Sequence, residues 1–132
     1  MNIKKLIKNI IFTLILLLIV IITEKLNSTY LNQFKISSSI KYNYLALFSN
    51  LIGYTTAGFI LGLNNLLEEY NKKGKWKINY ITIISLAIPS LIIGFLPLLY
   101  LAIYKSTISI SYNIFFLIFG LQLSKSIIKN DL

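Results

Sequence analysis

Four long apolar runs separated by short polar stretches set the pattern of this chain. The first extends from Leu6 to Thr23, is interrupted only by Thr13 between Ile10 and Ile22, and follows Lys4, Lys5 and Lys8. The second covers about 44–67, the third about 78–104 and the fourth about 108–128. A hydrocarbon core about 30 Å thick is crossed by roughly 20 helical residues, so each run is long enough to span. The pattern predicts an all-α membrane protein: one transmembrane domain over 1–132, four helices in a left-handed bundle, and no soluble domain. An outer loop over 24–43 and a cytoplasmic loop over 68–77 complete the expected layout. Within the outer loop, Leu26, Tyr30 and Phe34 recur at four-residue spacing and predict a short surface helix.

Composition removes the soluble alternatives. Hydrophobic residues make up 56% of the chain and charged residues 13%, against about 25% charged in an ordinary soluble domain. All 13 basic residues are Lys, and the net charge is +9. That excess is read as orientation relative to the membrane, not as a nucleic-acid footprint, because short Lys-rich loops stay cytoplasmic. With the N-terminus inside, Lys4, Lys5, Lys8, Lys72, Lys73, Lys75, Lys77, Lys125 and Lys129 fall on the inner side, and Lys25, Lys35, Lys41 and Lys105 on the outer. Both termini are therefore expected in the cytoplasm. Tyr70, Trp76 and Tyr80 form an inner aromatic belt, with Tyr42, Tyr44, Tyr100, Tyr104 and Tyr112 outside. The first Ala of the chain is Ala46, so the first run lacks the small residues of a cleavage site and reads as an uncleaved signal anchor. Heavy use of Ile, Lys and Asn is the bias of an AT-rich genome, which places the chain in a bacterial plasma membrane.

Helices in lipid associate through small residues and polar contacts, and each run carries such a stripe. These are Asn9, Thr13, Val20 and Thr23; Ala46, Asn50, Gly53, Ala57 and Asn64; Ala87, Ser90, Gly94 and Pro97; and Ser109, Asn113, Gly120 and Ser124. Spacings of three and four favour left-handed crossings. The second helix has another small face, Thr55, Gly58 and Gly62, about 130° from the first at 100° per residue. Either both faces meet neighbours inside one bundle, or one of them meets another subunit. Pro89 and Pro97 each remove a backbone hydrogen bond and predict kinks in the third helix, serving shape or gating; the carbonyl of Ser85 is the one freed opposite Pro89. Glu68 and Glu69 stand four residues before Lys72 and Lys73, which predicts that the second helix continues as a stem to a stop at Gly74. That stem is either a solvated helix end or a docking element.

Chemistry is conspicuous by what the chain lacks. It has no Cys and no His, which removes thiolate and imidazole metal ligands and the usual general base. No Asp, Glu, His, Arg or Lys lies in the middle of a predicted span, so the charged site of a proton-coupled carrier or membrane protease is not expected. Glu68 and Glu69 are sequence neighbours and point about 100° apart on a helix, so they do not flank a substrate. No catalytic centre, metal site or cofactor is expected. What remains is neutral polarity: Asn50, Tyr54, Thr56, Ser109 and Asn113 are candidates either for interhelical contacts or for the lining of a pore that replaces hydration with amides and hydroxyls. Asn50-Leu51-Ile52-Gly53 resembles the Asn-x-x-Gly of the second helix in small bacterial fluoride channels, but those imply an Arg in the first helix that this chain does not have, and no family is assigned. Small multidrug carriers are similar in size but use a Glu in the first span. The expected function is an accessory or assembly subunit of a larger membrane complex; the alternative is a small homo-oligomeric channel or holin-like pore. The expected partners are the lipid bilayer and other membrane subunits or further copies of the chain.

Overall fold

A computed structural model of the chain describes residues 2–104 and 113–130. The first element, α1, is a continuous helix over Ile3–Ser37, about 52 Å long at 1.5 Å per residue. No Gly or Pro interrupts it. The hydroxyls of Thr13, Thr23, Thr29 and Ser37 each donate to the carbonyl four residues earlier, at 2.8–2.9 Å, so these polar side chains ride the helix without breaking it. Ser38 ends it in the left-handed region, with φ 53° and its N–H bonded to Phe34 O. Ser39 is extended, and α2 begins at once as Ile40–Leu61. The outer loop expected over 24–43 is thus helix on both sides of a two-residue joint, because the apolar spacing of Leu26, Tyr30 and Phe34 continues the first helix instead of starting a new one.

Gly62 interrupts the second run and α3 follows as Leu63–Asn71. The helical stem is therefore present, but it ends at Asn71, and Gly74 takes a different role. With φ 142° it turns the chain toward a short strand, β1, Trp76–Ile78, and a Cβ there would fall 1.8 Å from Asn130 O, so only glycine fits. The next helix, α4, covers Tyr80–Tyr104 in pieces. A π-helical turn at Ile83–Ala87 precedes Pro89, and a break at Phe95 precedes Pro97. Each proline lacks the N–H that would close the preceding turn, and the backbone widens or pauses just before it. The hydroxyl of Ser85 turns back to Ile81 O at 2.6 Å.

The last helix, α5, is Asn113–Ser126. It stops short of the expected 128, because Ile127–Lys129 forms β2, antiparallel to β1 with Trp76 opposite Lys129 and Ile78 opposite Ile127. The described residues thus form five helices where four were expected, Gly62 dividing the second run. Three of them, α1, α2 and α4, are long and apolar enough to cross a membrane. The start of the fourth apolar run lies outside the described residues.

Helix packing follows the small stripes. α1 lies on α2, α2 on α5, and α5 on α4, whose last part, Leu96–Tyr104, also touches α2. The buried centre consists of Ala46, Ala57, Ala87, Leu101 and Phe116. All four members of the third stripe, Ala87, Ser90, Gly94 and Pro97, are buried. Gly94 faces the ring of Phe116, which also stacks edge-on with Phe95 at 5.7 Å. On α1 the seam is Phe12, Leu16, Val20, Thr23, Asn27, Tyr30 and Phe34, and Thr23 alone is buried. Asn9 and Thr13, expected on that stripe, are exposed.

Candidate functional site

Polar side chains gather where α1 crosses α2. Thr23 sits against Gly53 so closely that a Cβ on the glycine would lie 1.9 Å from Thr23 Oγ1. One turn along, Asn50 Nδ2 donates to Asn27 Oδ1 at 3.3 Å. The hydroxyl of Tyr54 donates to the Glu24 carboxylate, and Asn113 of α5 reaches the same hydroxyl. Glu24 and Asn27 share a face of α1 at i, i+3, as Asn50 and Tyr54 do on α2 at i, i+4. Two polar rungs therefore bridge the helices. Asn50 is 7% exposed, yet its Oδ1 meets no donor, and Asn43 Oδ1, Ser49 Oγ and Thr55 Oγ1 are also buried without a partner.

Of the five polar candidates, Asn50, Tyr54 and Asn113 come together. Thr56 does not: it is exposed, donates to Ile52 O at 2.7 Å, and lines a mostly apolar groove of about 430 Å³ along the α1–α2 seam with Thr23, Tyr30, Phe48, Ile52 and Gly53. Ser109 lies outside the described residues. Sequence reasoning missed Glu24 and Asn27, both assigned to an outer loop. The signal for them was the three- and four-residue spacing of Thr23, Asn27, Tyr30 and Phe34, which extends the seam past the end of the apolar run.

The glycine positions fall on the opposite side of α2. A Cβ on Gly58 would meet Leu117 O at 1.9 Å, one on Gly120 would meet Thr55 O at 2.0 Å, and one on Gly62 would meet Ser124 Oγ at 1.5 Å. The second small face of α2 is therefore occupied by α5 of the same chain. Ala57, fully buried, stands on α2 beside Gly58.

At the other end, the strands and α3 form a clasp that was not foreseen. The Lys129 ammonium donates to Tyr70 O at 2.7 Å and Lys72 O at 3.0 Å, and stands 4.7 Å from the Trp76 ring centre and 5.1 Å from that of Tyr70. It thereby caps the carbonyl end of α3. Glu69 accepts the Lys129 backbone N–H at 2.8 Å and pairs with Lys72. Those contacts, the backbone bond first, hold its carboxyl below the ordinary carboxylate range.

Among the described residues no group of three or more His, Cys, Asp or Glu could hold a metal ion. Fold and seam together define a helical protein with three helices able to cross a bilayer and a polar contact layer between α1, α2 and α5. Compared with protein families, curated proteins and solved structures, the chain finds no match.

Proposed function

We propose that the chain is a non-enzymatic, four-span protein of a plasma membrane that serves as an accessory or assembly subunit of a larger membrane complex, with both termini cytoplasmic. The fourth span is the run containing α5, and the three- and four-residue spacing along the α1–α2 seam supports left-handed crossings. The observation that carries the assembly reading is the length of α1. Counted from Lys8, a core about 30 Å thick is filled near Ser28. The rest of α1, with the start of α2, then stands beyond the hydrocarbon as a helical hairpin. Its tip exposes Ile36 by 80% and also shows Leu31 and Ile40. Apolar side chains outside the hydrocarbon gain from a protein surface that covers them.

The alternative, a homo-oligomeric channel or holin-like pore, is supported by Asn50, Tyr54 and Asn113 lying together. Against it, Thr56 faces away and Asn50 is engaged with Asn27. Mild-detergent purification of a tagged copy from its host, with intact-mass analysis, separates the two. A stoichiometric second protein is the expected result, lost on Ile36→Lys; a pure homo-oligomer that conducts in liposomes overturns the assembly reading.

A further inference from the structure

At the end of the molecule away from the hairpin tip, exposed apolar side chains and exposed lysines occur together. α3 is amphipathic: Leu63, Leu66, Leu67 and Tyr70 share one side, Asn64, Asn65 and Glu68 the other. In β1, Trp76 and Ile78 share a face and Lys77 takes the opposite one. The rings of Tyr70 and Trp76 flank the same Lys129 ammonium, so the apolar side of α3 adjoins the Trp76 face of the strands. Tyr70 is nevertheless 68% exposed and Trp76 49%, and Leu67 and Ile78 are exposed as well. Around them Lys73, Lys75, Lys77 and Lys125 are exposed. α1 runs antiparallel to α2, with Thr23 against Gly53 and Asn27 against Asn50, which brings Lys4, Lys5 and Lys8 toward the same end. Two residues after β1, Tyr80 opens α4, a helix of 25 residues able to cross a membrane. At 1.5 Å per residue that helix is longer than a core about 30 Å thick, so the strands meet the bilayer where hydrocarbon gives way to headgroups.

We propose that α3 and the strand clasp form a surface selective for anionic phospholipids. Lys73, Lys75 and Lys77 reach the headgroup phosphates, while Leu67, Tyr70, Trp76 and Ile78 rest at the boundary with the acyl chains. Amphipathic segments bind at that level through apolar area together with charge, and a lysine stem lies along apolar surface while its ammonium reaches outward. A zwitterionic lipid carries the same phosphate but cancels it with its own cation, so the lysines distinguish the two. Lys129 is a strut and not a lipid ligand, because its ammonium is held by Tyr70 O, Lys72 O and the two rings. Continuity of the strands with α4 and α5 favours lipid over a protein partner at this surface. The proposal rests on α4 crossing the bilayer and not on the assembly reading, whose docking surface is the hairpin tip.

Trp76 is the single Trp of the chain, so its fluorescence reports on this surface alone. The test reconstitutes the purified full chain in vesicles holding equal mole fractions of phosphatidylglycerol and phosphatidylcholine, with bromine on the acyl chains of one lipid or of the other. Brominated phosphatidylglycerol is expected to quench Trp76 at least about twofold more than brominated phosphatidylcholine. The preference should shrink as NaCl is raised, because exposed charges are screened. It should vanish in the triple variant Lys73→Gln, Lys75→Gln, Lys77→Gln and persist in Lys35→Gln with Lys41→Gln at the hairpin end. The salt titration uses the parent chain, so it decides the matter even if the triple variant does not fold. Equal quenching by the two lipids, no quenching by either, or a preference indifferent to salt overturns the proposal. So does a preference kept in a folded triple variant or lost in the hairpin variant.

Discussion

Two seams meet on α2, and they are built on different terms. Toward α5 the contact is backbone against backbone: hypothetical Cβ atoms on Gly58 and Gly120 would lie about 2 Å from carbonyl oxygens, at Leu117 and Thr55 respectively. At those two glycines nothing can rotate aside, whereas at Gly62 the neighbour is the Ser124 hydroxyl. Toward α1 the contact is side chain against side chain, with Gly53 facing Thr23, and amide and hydroxyl rungs above it. The first arrangement fixes spacing and tolerates no added atom. The second adapts, and it leaves buried oxygens with capacity to spare. In lipid, where apolar side chains gain nothing by leaving their surroundings, close approach and polar contacts are what hold helices together.

That contrast predicts a ranked set of effects. The largest falls on the backbone seam: Gly120→Ala should lose about 1–3 kcal/mol or more by overpacking, read by SDS or steric-trapping titration of the reconstituted chain. Gly58→Leu combined with Gly62→Leu should separate α5 from α2 within a single chain, seen as new protease cleavage in monomeric material. If the monomer stays intact and only an oligomer dissociates, the distinction between the seams fails. Gly53→Ala should cost less, because the obstacle is a side chain. Thr23→Ala, which removes Oγ1 and Cγ2, should recover part of the loss in a double-mutant cycle. Asn50→Leu should cost only about 0.6 kcal/mol, the average worth of an interhelical polar contact in a membrane. A loss as large as that from Gly120→Ala would erase the contrast.

Acid should act on the clasp through Glu69. Glu69 has a lowered pKa, so its contribution to the clasp is complete above the ordinary Glu range near pH 4.3 and is lost as pH falls through the lower, folded value. Amide exchange at residues 127–130 should therefore speed up in that acid window, and Glu69→Gln should flatten the response.

Much of this was legible from the residues. The stripe Ala87, Ser90, Gly94 and Pro97 reads directly as the buried face of α4, and the two prolines mark its interruptions to within a few residues. The stripes of α2 were equally plain, but a small face does not say whether its neighbour is α5 or another chain, because both offer the same close packing. Glu24 was lost to hydropathy: the apolar run stops at Thr23 while the helix and its seam do not. Ile127 and Ile128 were lost to ambiguity, since two apolar residues at the end of a run fit helix or strand equally. Lys129 looked like one more inner-side charge, and nothing local to it announced Tyr70, 59 residues away.

Pairing of β1 with β2 also imposes a parity condition. Strands that share hydrogen bonds occupy one aqueous compartment, so Trp76–Ile78 and Ile127–Lys129 cannot lie on opposite faces of a bilayer. Between them the chain must traverse an even number of times. If α4 crosses outward, the stretch containing α5 is obliged to return, although the 14 described residues of that helix fall short of a full crossing by themselves. The same rule holds if the whole molecule is inserted upside down. Three residue pairs thus restrict the topology in a way that counting lysines does not.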